Sequence, residues 1–226
     1  MIPYPKNRFV RCVAAALLSV AAISVHAQTE ETALFRDLRY NSPIAQFGTD
    51  RGYYDCSADL GYSARCIDDV KFLGYEFDTQ ILMFMDGKLR SVQLATEFKP
   101  EIYTRVIKAL MEDFTLIMLQ SGERRLDLIE TARKEGEARL GPKVSEFETG
   151  ALNKGDLTYV FIEQTGAALR KFPNGFEAIT KSPPTTREAD VQVKEQDKEA
   201  WLGITFSLPR RAMADMRNTP VPREKF

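Results

Sequence analysis

The side chains most often used for acid–base, nucleophilic and zinc chemistry are scarce in this chain. His26 is the only histidine, and Cys12, Cys56 and Cys66 are the only cysteines. Because His26 and Cys12 both precede residue 28, the remainder of the chain cannot form a Ser–His–Asp triad, a Cys–His dyad or a histidine-ligated zinc site. It also lacks a Ser-x-x-Lys arrangement. The usual hydrolase and redox centres are therefore excluded.

Carboxylates are the reactive groups that remain, with 32 Asp and Glu residues in the chain. They keep a carboxylate-dependent glycan hydrolase open, since such enzymes need only a pair of acids. Four acids lie near four tyrosines, whose faces suit sugars: Asp55, Asp59, Asp68, Asp69, Tyr53, Tyr54, Tyr62 and Tyr75. No EF-hand pattern, zinc spacing or glycine-rich phosphate loop occurs. The sequence therefore assigns no catalytic, cofactor-binding or metal-ligating residue, and we expect no cofactor.

Cys56 and Cys66 are predicted to form a structural disulfide. They are the only thiols after residue 27 and are ten positions apart. A redox-active pair usually has a Cys-x-x-Cys spacing, which this pair lacks. A structural bridge is typical of exported proteins, because oxidising compartments preserve it.

The first 27 residues have the pattern of a secretory signal peptide. A basic start is followed by an uninterrupted apolar run over 13–25 and by a small-x-small site that ends at Ala27. We expect cleavage between Ala27 and Gln28. The apolar run is shorter than the roughly 20 residues that span a bilayer core, so a retained anchor is the weaker alternative. The predicted location is the periplasm, or outside the cell if the protein is secreted.

Charge narrows the class of partner. Removing residues 1–27 leaves 28 Lys and Arg against 32 Asp and Glu, a net charge near −4. Nucleic acids and anionic membranes are bound through clustered basic residues. We therefore expect no nucleic-acid partner and no stable membrane span after signal cleavage.

The hydrophobic pattern predicts both strands and helices. Asp-Gly between two apolar arms predicts a β-hairpin over 81–96. A proline followed by apolar residues at three- and four-residue steps predicts an amphipathic helix from Pro100 to Leu119. A second helix, strongly charged and with a narrow apolar stripe, is predicted from Ser121 to Leu140. Strands are predicted over 157–162 and 201–208.

These elements predict an α+β fold, in which an antiparallel sheet carries one or two packed helices and a disulfide-stapled turn region. The exported domain is assigned to 28–208 and a C-terminal tail to 209–226. The sequence leaves open a substructure break near 141–156. The polar stretch 182–198 is predicted to be a long, exposed hairpin arm.

Export, a stapled α+β domain and the missing catalytic residues favour a protein that acts by protein–protein interaction in the cell envelope. An inhibitor or immunity protein and an envelope-assembly accessory factor both fit; a cell-wall glycan hydrolase and a small-molecule carrier are the alternatives. A non-enzymatic role is favoured over an enzymatic one. Exposed charge marks the candidate partner-binding residues Glu188, Glu195, Arg210 and Arg211.

Overall fold

The computed structural model describes residues 32–196 and 198–218. The predicted signal peptide and its cleavage site lie outside these ranges. The strands of the described part are β1 Ala33–Phe35, β2 Leu38–Arg39, β3 Tyr54–Asp55, β4 Ala64–Phe72, β5 Tyr75–Met85, β6 Lys88–Glu97, β7 Thr115–Ser121, β8 Arg124–Asp127, β9 Asp156–Ile162, β10 Glu188–Gln196 and β11 Glu199–Ser207. Its α-helices are α1 Ser57–Leu60, α2 Pro100–Asp113, α3 Leu128–Glu135, α4 Leu140–Leu152, α5 Gly166–Leu169, α6 Gly175–Lys181 and α7 Pro209–Asn218.

An antiparallel sheet organises the described residues. Its strand order is β3-β4-β5-β6-β11-β10-β9-β7-β8, and β1 and β2 form a separate small sheet. All described residues fall in one compact unit, and 141–156 lies inside it as α4 and the turn into β9. The predicted α+β class with an antiparallel sheet and a stapled turn region is confirmed.

One face of the sheet, the inner face, carries the main core. Alternate residues of the central strands are fully buried there, because period-two alternation sends every second side chain to the same side. They include Leu82, Val92, Leu94, Val191, Leu202 and Ile204. The β1–β2 hairpin, α2 and α4 contribute further residues to this cluster, including Leu34, Phe35, Ile102, Val106, Phe147 and Ala151.

The hairpin predicted over 81–96 is confirmed as β5 and β6. Its turn residues Asp86 and Gly87 both have positive φ, at 52° and 67°. This left-handed backbone is what a two-residue hairpin turn requires, and Asp and Gly tolerate it better than most residues. The turn fixes the register of β6, and hence of β11, which pairs with it.

The two predicted helices between 100 and 140 are partly wrong. The first ends at Asp113, and the apolar residues after it form β7. Both faces of β7 are buried, and a β-bulge between Leu116 and Met118 interrupts its alternation, so Ile117 joins a second cluster on one face while Leu119 lies in the main core on the other. The predicted start of the second helix is a hairpin turn at Gly122, and α3 begins only after Asp127.

Residues 182–198, predicted to be an exposed arm, mostly form the central strand β10. Ala189, Val191 and Val193 face the main core, which explains their alternation with polar residues. The polar residues face the other side of the sheet. The segment assigned to the C-terminal tail begins with helix α7, Pro209–Asn218.

The predicted disulfide is confirmed: Cys56 and Cys66 are bonded. The bridge joins the start of α1 to β4, and both cysteines are buried in a small apolar cluster with Ala64. A bond of this kind is typical of proteins from oxidising compartments. Within 32–196 and 198–218, no helix has the length and apolar character needed to cross a bilayer.

Candidate functional site

The second face of the sheet, here called the outer face, differs from the inner face in its chemistry. Register places small and polar side chains in adjacent rows across β6, β11, β10 and β9. One row contains Gln93, Thr205 and Asp190, and the next contains Ala95, Gly203 and Gln192. Most of these residues are partly exposed. The outer face of the central strands is therefore a polar platform.

Helices border this platform on both sides. On one side, α1 and the disulfide pack near Ile81. On the other, α5 and α6 cover β7 and β9 through an apolar cluster that includes Met118, Val160, Ile162 and Ala178. Trp201, the single tryptophan, lies on the outer face of β11 and is 42% exposed.

A carboxylate pocket lies where the platform meets α6 and α7. It has a volume of about 280 Å³ and contains two acids, Glu188 and Asp190, on the outer face of β10. As residues i and i+2 of one strand, they point the same way and are about 7 Å apart along it. The other polar residues that line the pocket are Gln120, Thr158, Thr180 and Gln192.

Burial dominates the electrostatics of the pair. Desolvation, reinforced by the neighbouring Asp190 carboxyl, raises the pKa of Glu188 to about 8. Desolvation alone raises the pKa of Asp190 to about 7. Asp190 Oδ1 is buried and has no hydrogen-bond partner in the described structure. Both acids therefore keep protons well above the pH at which exposed carboxyls lose them.

Hydrogen bonds at the first turn of α6 fix the position of this helix. Asn174 caps the helix by accepting from the amide of Glu177 at 2.8 Å. Asp127 Oδ2 accepts from the amide of Gly175 at 2.7 Å, while Asp127 Oδ1 caps α3 through the amide of Glu130 at 3.0 Å. A Cβ at Gly175 would lie 3.2 Å from Asp127 Oδ2, which explains why this close approach requires glycine.

Polar contacts at both ends of α7 hold it in place. Near its start, Arg210 donates to the carbonyl of Ser182 at 2.6 Å. Near its end, Asp215 pairs with Arg90 at 2.6 Å and accepts from the Tyr40 hydroxyl, also at 2.6 Å. Burial and the bond to Asp215 raise the pKa of Tyr40 to about 12. These contacts seat Pro209 and Met213 of α7 against the carboxylate pocket.

The four predicted partner-binding residues occupy different environments. Glu188 is half-buried in the carboxylate pocket. Arg210 is exposed beside it, apart from its bond to Ser182. Arg211 lies over the Tyr40 ring, at 5.7 Å from the centroid. Glu195 is exposed near the far end of β10, so the structure brings Glu188 and Arg210 to the same region and leaves Glu195 apart.

Within the acid and tyrosine group considered for glycan hydrolysis, Asp55 and Asp68 already have polar partners. Asp55 pairs with Arg65, and hydrogen bonds from Ser57 and Arg65 lower the pKa of Asp55 to about 2. Asp68 accepts hydrogen bonds from the hydroxyls of Tyr54 and Thr79. A glycosidase acid needs a raised pKa in a dry pocket, which is the opposite of the shift at Asp55.

A second cavity, of about 530 Å³, lies between α3, α5 and β7. Its lining is mostly apolar and includes Leu116, Ile117, Leu128, Ile129, Leu140 and Leu169. Arg133, Glu137 and Arg170 add charge to the lining, and Arg170 pairs with Glu137 at 3.4 Å. The cavity provides apolar contact area with charged groups beside it.

Comparison of this chain with protein-family models, curated proteins and solved structures finds no significant match.

Proposed function

We propose that this chain is an exported protein that acts by binding a protein partner in the cell envelope, as an inhibitor or immunity protein or as an assembly factor. The observation that supports this proposal is the outer-face platform. Its central residues are small or polar and mostly partly exposed, and the acids of the carboxylate pocket lie at its border. The signal-peptide pattern and the disulfide support export.

Charge complementarity defines the partner's surface. Glu188 and Asp190 lie at the platform border, and no basic side chain is among the described residues that line their pocket. The mature chain also has a net charge near −4. We therefore expect the contacting surface of the partner to be basic, with a flat region that fits the platform between α1 and α6.

The chemistry of the carboxylate pair favours binding over catalysis. In glycosidases, the two carboxyls flank the bond that breaks. Here both acids are neighbours on one strand and both have a raised pKa, whereas an acid and a base are expected to have pKa values pushed apart.

The test combines affinity capture with a variant of the platform. Ala95→Arg places a long cation on β6, away from the carboxylate pocket, and Thr104→Arg makes the matched change on the exposed side of α2. Wild type and Thr104→Arg should retain one envelope protein in stoichiometric amount, and Ala95→Arg should lose it. Trp201 fluorescence should then change on titration with that protein after purification. Equal retention by both variants, or no retained protein with wild type, would contradict the proposal.

A small-molecule carrier is the second candidate, because the 530 Å³ cavity has a mostly apolar lining. An apolar fluorescent probe such as N-phenyl-1-naphthylamine should bind the wild type, and Ile129→Glu should abolish binding by placing a charge in that lining. Thr104→Arg is again the control. Unchanged probe binding in Ile129→Glu would exclude this cavity.

A further inference from the structure

The carboxylate pocket holds two acids with no basic side chain among the described residues that line it. Its two acids share one face of β10, and the Oδ1 atom of Asp190 is buried without a partner. The basic side chains of the flanking segments have partners elsewhere: Lys181 pairs with Glu177, Arg187 pairs with Glu163, and Arg210 donates to the carbonyl of Ser182. Buried polar atoms in proteins are normally hydrogen-bonded, so the pocket lacks a donor, and a cationic donor would also favour ionisation of the two acids.

The pocket walls define what kind of cation would fit. Val160, Ile179, Met213 and Pro209 line the pocket with apolar surface. Phe176 also lines it and is 59% exposed. Apolar walls next to an acidic floor fit a ligand with a charged end and an apolar stem.

We propose that the carboxylate pocket binds an organic cation, an ammonium or guanidinium group on a short apolar stem, which lies between Glu188 and Asp190 and donates a hydrogen bond to Asp190 Oδ1. Where the cation is a basic side chain of the partner, the inference rests on the proposed function. Binding of the cationic group itself does not depend on any partner.

A metal ion fits the same residues less well. In the described part of the chain, no group of three or more His, Cys, Asp and Glu side chains is arranged to hold a metal. Calcium takes six to eight oxygen ligands, so it would use the acids and the polar lining side chains but would leave the apolar walls of the pocket without a role. An ammonium or guanidinium group instead uses both the acids and the walls, because it donates at one end and packs at the other.

The binding test uses n-butylammonium chloride as the probe, with 1-pentanol as the neutral control and sodium chloride to match ionic strength. The readout is the NMR shift of the side-chain amides of Gln120 and Gln192, which line the pocket. At pH 8.5 butylammonium should shift both amides in a saturable manner, and pentanol should not. Ionisation of the pair favours the cation, so affinity should fall at least tenfold at pH 5.

The conservative variants Glu188→Gln and Asp190→Asn should each weaken butylammonium binding at least tenfold, and Glu146→Gln, an exposed acid on α4, should leave it unchanged. A circular dichroism spectrum equal to wild type would show that each variant is folded. Equal binding by Asp190→Asn and wild type would overturn the proposal, and so would pocket shifts produced by calcium chloride but not by butylammonium.

The same variants identify the source of the cation. If Glu188→Gln loses both butylammonium and the captured partner, the partner supplies the basic group. If it loses butylammonium but keeps the partner, the site binds a free amine and the inference stands without the partner. Loss of capture in Ala95→Arg with normal butylammonium binding would support both proposals separately.

Discussion

Replacing both acids of the carboxylate pocket should change how stability depends on pH. In the folded protein burial raises the pKa of Asp190 to about 7 and that of Glu188 to about 8, whereas both carboxyls ionise near pH 4 in an unfolded chain. Between these values the folded state holds protons that the unfolded state has released. The free energy of unfolding contributed by the pair must therefore fall as pH rises.

The size of this effect follows from the number of protons held. Each proton that the folded pair holds and the unfolded chain has released lowers the free energy of unfolding by about 1.4 kcal/mol per pH unit, so one retained proton corresponds to about 3 kcal/mol between pH 5 and pH 7. Retention of both protons would double this value. The double variant Glu188→Gln/Asp190→Asn cannot titrate at these positions, so its stability relative to wild type should increase by at least about 3 kcal/mol between pH 5 and pH 8.

Urea unfolding followed by circular dichroism at pH 5, 6, 7 and 8 measures this difference. The quantity that matters is the gap between wild type and the double variant at each pH, because every other titrating group is common to both. A control pair, Glu146→Gln/Asp50→Asn, removes the same charge from exposed positions and should give a nearly constant gap. A gap between wild type and the pocket variant that stays constant from pH 5 to pH 8 would refute the reasoning.

Three further predictions concern the elements that build the site. Cys56→Ser/Cys66→Ser should lower the free energy of unfolding by about 2 to 3 kcal/mol, as expected for opening a ten-residue loop, and a value near zero in urea unfolding would contradict this. Asp127→Ala removes acceptors for the first turns of both α3 and α6 and should cost about 2 kcal/mol, measured the same way, with Asp127→Asn losing less. Asp215→Asn should free α7 from Tyr40 and Arg90, so that amide hydrogen exchange in α7 accelerates at least tenfold while exchange in α2 stays unchanged.

Local signals were enough to predict the parts of the fold that are held by local chemistry. Asp86-Gly87 specifies its own turn, Pro100 begins α2, and the two thiols that follow residue 27 form a bridge. The wrong helix prediction concerns β7, a strand whose two faces are both buried. Ile117 and Leu119 contact different clusters on the two faces of β7, so the sequence of this strand does not alternate between apolar and polar residues. Its apolar residues also happen to continue the three- and four-residue spacing of α2.

The residues of the candidate site were also only partly predictable from local sequence signals. Sequence reasoning selected Glu188 as an exposed charge and did not select Asp190, Gln120 or Gln192. The alternation of polar residues with Ala189, Val191 and Val193 was visible and is the signal of a strand with one buried face. What the alternation could not show is that α6 and α7, which precede and follow the β10–β11 hairpin in the sequence, pack against the polar side of β10 as well.

The destabilisation of the folded state by ionisation of the carboxylate pair indicates what the pair does. A folded chain gains nothing from two buried acids without a counter-charge, because each raised pKa means that ionisation destabilises the native state. Gln or Asn at the same two positions would preserve size and polarity without this penalty. Specific polar contacts hold the helices that form the pocket: Asp127 bonds to Gly175 at the start of α6, and Asp215 pairs with Arg90 near the end of α7. Residues that reduce stability and are held in place by the surrounding structure are characteristic of a binding site. A cation that enters the pocket stabilises the ionised acids and thereby removes the penalty of their burial.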